Sequence, residues 1–203
     1  MSRDQYLVLV RHGRTAWNAE GRFQGQADPP LDDVGWEQAR RTARSLAGLR
    51  PAAIVSSDLC RAHQTAVVLG ATCGLIPATD RNLREVALGA WEGIGHDEAA
   101  VRFPAEYAAW SAGADVRRGG GETQAEAGAR VAAAVVRFLW RVRTDSPVVV
   151  VSHGLALQAA LGVLTARGLV RLDTARPPHL TNGEWLVLPV SRAAHRPGRE
   201  HAA

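Results

Sequence analysis

Leu7-Val8-Leu9-Val10-Arg11-His12-Gly13 decides how this chain is read. Four consecutive aliphatic residues predict a short strand buried on both faces, as in a parallel sheet covered by helices on each side. The strand then runs straight into a cation, an imidazole and a glycine. Burying Arg11 without a partner would cost several kcal/mol. An anion held at the carboxyl end of the strand accounts for that placement, and this is the end where open α/β sheets bind ligands. Taken alone, such a pair reads more readily as an ordinary strand followed by a solvated turn. The pattern recurs, however: Val148-Val149-Val150-Val151 leads into Ser152-His153-Gly154.

Working outward from these two strands, the remaining elements fall into place around a sheet. Asp32 is a good N-cap for a helix over 33–48, with Ala39, Ala43, Leu46 and Ala47 on one face. Ala53-Ile54-Val55-Ser56 predicts another short strand, and Asp58 the start of a helix with Arg61 in its first turn. A helix amino terminus favours anions, so Arg61 there would add donors to a polarised site; a surface pair with an Asp explains the position as well. Thr123 and Glu126 fit a capping box ahead of a helix over 122–144, whose apolar stripe is Val131, Val135, Phe138, Leu139 and Val142. A helix over 155–167 follows the second His-Gly. A last strand over 184–190 is expected to be antiparallel, entered through an Asn182-Gly183 turn.

The interval 86–121 has little clean periodicity but holds Trp91, Phe103, Tyr107 and Trp110, which predicts a lid with some helix of its own. From Ser191 onward Arg, His, Pro and Gly predominate, and 191–203 is expected to be a disordered tail. The fold class that fits is α/β: a three-layer α/β/α sandwich with a mostly parallel central sheet and one antiparallel edge strand, forming one domain over 1–190.

Composition limits the function classes. The 203 residues carry a net charge of +4, and all 24 basic side chains are Arg. They are scattered, with no alternation of basic and aromatic residues, which argues against nucleic acid as a partner. No apolar run approaches the roughly 20 residues of a membrane helix. No charged-then-apolar leader opens the chain, so a cytoplasmic protein without a membrane partner is expected. Cys60 and Cys73 are too few for a disulfide framework and match no zinc spacing, so both are read as reduced thiols.

Six blocks occur in an order that is specific as a set. They are Arg11-His12-Gly13; Trp17-Asn18; the run from Ser56 through Arg61 to Ala66; Leu83-Arg84-Glu85 with Trp91-Glu92-Gly93; Gly120-Gly121-Glu122-Thr123; and Ser152-His153-Gly154. In these the chain resembles the histidine phosphatase superfamily, the phosphoglycerate mutase-like family. The resemblance implies that His12 is the nucleophile that carries a phosphoryl group. It implies that Arg11, Arg61 and His153 hold the phosphoryl oxygens, with Asn18 as a neutral donor, and that Gln24, Gly25 and Gly154 line the phosphate pocket. Gly25 reads equally as an ordinary turn.

Glu85 stands at the family's proton-donor position. A donor acting near neutral pH needs a raised pKa, which partial burial under the lid could supply, and it would later serve as base for the attacking water. On its own Glu85 reads more readily as a surface partner of Arg81 or Arg84. The resemblance implies no metal and no cofactor, because the cations offset the phosphate charge. His96-Asp97-Glu98 reads as a solvated lid face rather than a metal site. The expected partner is a small phosphorylated substrate of sugar- or glycerate-phosphate type, and a homodimer is left open.

Mutases of the family have a longer interval between the acidic residue and the downstream helix, with an Arg pair that reaches the glycerate carboxylate. Here the interval is shorter, and its one adjacent pair, Arg117-Arg118, sits against the glycines. Hydrolysis is therefore expected, and the motifs look most like the glucosyl-3-phosphoglycerate phosphatase and acid phosphatase members. The alternatives are a cofactor-dependent phosphoglycerate mutase, an α-ribazole phosphatase and a non-catalytic module that binds phosphorylated ligands.

Overall fold

The computed structural model describes residues 5–142, 145–174 and 177–191. In chain order the elements are β1 (Tyr6–Arg11), α1 (Ala16–Ala19), α2 (Asp33–Ala47), β2 (Ala53–Ser56), α3 (Cys60–Cys73), β3 (Ala78–Thr79), α4 (His96–Arg102), α5 (Pro104–Ser111), α6 (Gln124–Arg141), β4 (Val148–Ser152), α7 (Gly154–Ala166) and β5 (Trp185–Pro189). The strands form one sheet in the order β3-β2-β4-β1-β5. All neighbours run parallel except β5, which pairs antiparallel with β1 at the edge. The expected mostly parallel sheet with one antiparallel edge strand is what forms.

Strand periodicity sorts the core into two layers. Leu7, Leu9, Val148 and Val150 point to the face packed by α6 and α7, together with Val131, Val135, Leu157 and Leu161. Val8, Val10, Val149 and Val151 point to the opposite face, against Ala43 and Leu46 of α2 and Ala62, Ala66 and Leu69 of α3. Successive side chains of a strand alternate between faces, so aliphatic residues at every position require helices on both sides. The result is the α/β/α sandwich.

Element ends follow local chemistry. Asp32 caps α2 by accepting from the Gly35 N–H at 2.7 Å. On that helix Thr42, rather than Ala47, completes the buried face with Ala39, Ala43 and Leu46. Thr123 and Glu126 form the expected capping box, and α6 runs from Gln124 to Arg141. The helix after β2 begins at Cys60, two residues later than expected. Arg84 takes the Asp58 carboxylate in a two-pronged ion pair at 2.8 and 2.6 Å, so Asp58 does not act as a cap. The tail beyond Ser191 lies outside the described residues.

The 86–121 interval is a third packed cluster rather than a bare loop. Val86, Leu88, Trp91, Ile94 and Ala99 are buried there, and Phe23, Phe103, Tyr107 and Trp110 pack against them. It carries α4 and α5, and it stands over the carboxyl ends of β1 and β4.

Candidate active site

The register of the sheet brings the two His-Gly turns together. Arg11 pairs with Ser152 across β1 and β4, and the His12 N–H donates to the Ser152 carbonyl at 3.0 Å. Their histidines therefore leave neighbouring strands side by side, with ring centroids of His12 and His153 5.1 Å apart. Gly13 allows the turn to pass α2 closely, since a β-carbon there would run into the Gly35 carbonyl. The Gly13 N–H donates to Thr65 Oγ1 at 3.1 Å, and that hydroxyl donates to the Arg61 carbonyl at 2.8 Å. One threonine thus fixes the turn against the helix that carries Arg61.

His12 is buried, and its Nδ1 lies 2.7 Å from the Gly13 carbonyl. A carbonyl only accepts, so Nδ1 carries the proton and Nε2 keeps its lone pair. Burial, reinforced by the Arg61 and Arg11 cations, holds the imidazole pKa well below its ordinary value. His12 is therefore a neutral imidazole near pH 7, the state a nucleophile requires.

Buried donors surround it. Arg61 is 1% exposed although charged. Its Nη1 donates to the Ala27 carbonyl at 2.7 Å and its Nη2 to the Gly25 carbonyl at 2.8 Å, so it is no surface ion pair. Burial pushes its pKa down to about 10. Arg11 Nη1 donates to the Leu180 carbonyl at 2.8 Å and lies 3.2 Å from His179 Nε2. Gly154 lets the Arg11 guanidinium lie against the start of α7, because a β-carbon there would crowd it. His153 is fully buried, and burial with the neighbouring Arg61 keeps its pKa well below the ordinary value. Among the described residues, Arg11 Nε, Arg61 Nε and both ring nitrogens of His153 have no hydrogen-bond partner. Buried donors left unmade are costly, and an oxyanion beside His12 can accept from the two arginine nitrogens and from the one ring nitrogen of neutral His153 that carries a proton.

Asn18 closes a capping box on α1, and its Oδ1 receives the Thr15 N–H at 3.1 Å and Asn182 Nδ2 at 3.3 Å. Those donors fix the amide with its NH₂ end as the free donor. Asn182 also donates to the His12 carbonyl at 3.1 Å, a contact its reading as a turn residue did not reveal. Gln24 accepts from Thr15 Oγ1 at 3.0 Å. Gly25 has a φ of +53°, and a β-carbon there would run into Glu92 Oε1. That oxygen instead accepts the N–H groups of Gln26 at 2.8 Å and Leu88 at 3.0 Å, tying the phosphate loop to the 86–121 cluster.

Glu85 lies across the cleft at the start of α7. Its Oε1 accepts the N–H groups of Ala156 at 2.8 Å and Val86 at 3.0 Å, while among the described residues Oε2 takes only the Leu155 N–H at 3.3 Å. The surface pairing open to it in sequence does not form, because Arg84 turns to Asp58. The backbone beneath Glu85 is braced: Arg130 donates to the carbonyls of Asn82, Arg84 and Glu85 at 2.9–3.0 Å and holds Glu122 with two nitrogens. Glu122 also accepts the Ala87 N–H at 3.0 Å.

One cleft of about 200 Å³ gathers Arg11, His12, Asn18, Gln24, Gly25, Arg61, Glu85 and Gly154 in its wall. His153 is not among the residues of that wall, although its ring centroid lies 5.1 Å from that of His12. The wall also holds residues that the sequence did not single out for the site: Arg22, Trp110, Arg118 and His179. His96 is exposed as expected, yet its ring packs at a tilt against Phe23, with centroids 4.6 Å apart, and lines the same cleft.

The profile of the histidine phosphatase superfamily (branch 1) matches residues 7–195, and the chain belongs to that family. It is 38% identical over 196 residues to glucosyl-3-phosphoglycerate phosphatase of Mycobacterium tuberculosis, covering 92% of this chain and 86% of that protein. It is 34% identical over 205 residues to a probable phosphoglycerate mutase, GpmB, of Yersinia pestis, covering 93% and 94%. Among solved structures, mycobacterial glucosyl-3-phosphoglycerate phosphatase complexed with VO3 superposes with a TM-score of 0.81 at 33% identity, covering 94% of this chain and 93% of that one. Like its phosphatase relatives, the chain is a phosphoric monoester hydrolase. Among the described residues no helix is long and apolar enough to cross a membrane.

Proposed function

We propose that the cleft hydrolyses a small phosphorylated metabolite without a metal, by way of phosphohistidine at His12. One observation carries the reading: a buried, neutral imidazole with a free Nε2 stands among buried donors that have no protein partner. In the first step His12 Nε2 attacks phosphorus and the ester oxygen leaves. Arg11, Arg61, His153 and Asn18 hold the phosphoryl oxygens, whose charge peaks as the transferred group loosens. Glu85 Oε2, the less engaged oxygen, delivers the proton to the leaving alkoxide. In the second step the same carboxylate takes a proton from water as it attacks the phosphohistidine, releasing phosphate and restoring His12.

The phosphatase relatives favour water over a second substrate hydroxyl as the acceptor, and the substrate named for them is a glycosylated phosphoglycerate. Phosphorus NMR with 3-phosphoglycerate separates the two fates: inorganic phosphate should accumulate, whereas 2-phosphoglycerate formed faster than phosphate would reverse the assignment. Exhaustive EDTA treatment should leave the rate within about twofold, well under 1 kcal/mol in the barrier. A large loss restored by Mg²⁺ or Zn²⁺ would overturn the metal-free step.

A further inference from the structure

Arg11 ends β1, and its Nη1 is taken up by the segment that leads into β5. The Leu180 carbonyl accepts from Nη1 at 2.8 Å, and His179 Nε2 lies 3.2 Å from the same nitrogen. Arginine offers donors and no acceptor, so His179 is the acceptor in this contact and carries its own proton on Nδ1. Arg11 Nε is buried and has no partner among the described residues. His179 is exposed and stands in the cleft wall with Arg11. The two chemical steps at His12 do not use it.

The segment that carries His179 is tied to the histidine turn. Asn182 Nδ2 donates to the His12 carbonyl at 3.1 Å, and the Gly183 N–H reaches the carbonyls of Arg11 at 3.2 Å and His12 at 3.1 Å. The Arg11 N–H donates back to the Glu184 carbonyl at 3.0 Å, and the Glu184 carboxylate takes the Thr181 N–H at 2.6 Å. Leu180 alone would fix one point of the guanidinium and leave it free to swivel about that hydrogen bond. A second acceptor fixes the plane. The plane decides where Nε–H points, and an arginine fork grips an oxyanion only when the two planes match. The start of α7 also limits the group, since a β-carbon at Gly154 would lie 3.1 Å from Nη1.

We propose that His179 is a positioning residue for Arg11: its Nε2 sets the guanidinium plane and so aims Nε–H at the phosphoryl group that His12 receives. The proposal rests on the phosphatase reading of the cleft and adds a residue to the machinery of that reading. The aim matters most as the transferred group loosens, when charge peaks on its oxygens. A guanidinium already set in its plane also loses less rotamer freedom when the phosphoryl group arrives.

The test uses the full-length protein with p-nitrophenyl phosphate. His179→Phe keeps a ring and removes the acceptor, whereas His179→Gln gives up the ring and offers an amide oxygen in its place. His179→Phe should lower kcat/KM by about 10–100-fold, up to what an ångström of misplacement costs, and His179→Gln should recover most of that loss. A ring that only fills space gives the reverse order, an active Phe variant and an impaired Gln variant, and overturns the proposal. Removing the partner decides the route of action. On an Arg11→Met background, His179→Phe should change kcat/KM by less than about twofold, because the guanidinium it positions is gone. An equal loss on both backgrounds overturns the proposal and places His179 on the substrate itself. Calorimetry with inorganic phosphate on the same proteins should show the same pattern in affinity. It decides the role of His179 even if the wild type does not turn over p-nitrophenyl phosphate, a result that would sink the phosphatase reading alone.

Discussion

At the scale of single residues, the site depends on which polar atoms are already satisfied. His12 Nδ1 is bound to a carbonyl, which leaves Nε2 free, and the Asn18 oxygen is bound, which leaves its NH₂. Glu85 has one well-bound oxygen and one loosely bound. That asymmetry leads to a prediction that depends on the leaving group. An alkoxide departs poorly without a proton, while a nitrophenolate needs little help. Glu85→Gln keeps the shape and loses the acid. With an alkyl phosphate, phosphorylation of His12 should slow by about 10²–10⁴-fold, and with an activated aryl ester far less. The quantity to measure is the first-turnover burst, because the variant also lacks the base for the second step and steady-state rates mix the two. Equal losses with both esters would mean that Glu85 only orders the start of α7 and that the proton comes from elsewhere.

At the scale of elements, what could be read from the sequence was whatever local pattern dictates. The aliphatic runs at 7–10 and 148–151 announced buried strands, and Asp32 and Thr123 announced helix starts, because these signals lie within four residues of their effect. Asp58 misled because its fate depends on Arg84, 26 residues away. Arg118 and Asn182 were illegible as site residues for the same reason: only the folded chain brings Arg118 into the cleft wall and Asn182 against the His12 carbonyl. Gly25 links the two scales. Its φ of +53° and the lack of room beside Glu92 make it a position for glycine alone. Gly25→Ala should therefore cost about 1–3 kcal/mol of stability. It should also weaken inhibition by inorganic phosphate, because Arg61 is held by the Gly25 carbonyl. Urea unfolding and a phosphate inhibition series check both, and an unaltered midpoint with unaltered inhibition would show that the loop yields without consequence.

For the whole molecule, the sheet register is the main device: pairing Arg11 with Ser152 places both histidines at one buried point. Burying them neutral has a thermodynamic consequence. In the unfolded chain each takes up a proton as the pH falls through about 6.5, whereas in the folded protein both stay neutral to well below that. Below about pH 6.5 the unfolded state therefore binds more protons, and stability drops with falling pH by up to about 1.4 kcal/mol per unit for each histidine. Urea midpoints near pH 7.5 and 5.5 should show this loss, and His153→Asn should remove part of it; a flat profile would mean that the pair is charged in the fold. The central claim, that His12 Nε2 takes the phosphoryl group, is tested most directly by rapid quenching of the protein with substrate under alkaline conditions, followed by peptide mass spectrometry. The account predicts one acid-labile, alkali-stable phosphoryl group on the peptide containing His12, lost together with turnover in His12→Ala. A phosphoryl group on any other residue, or an active His12→Ala enzyme, would contradict it.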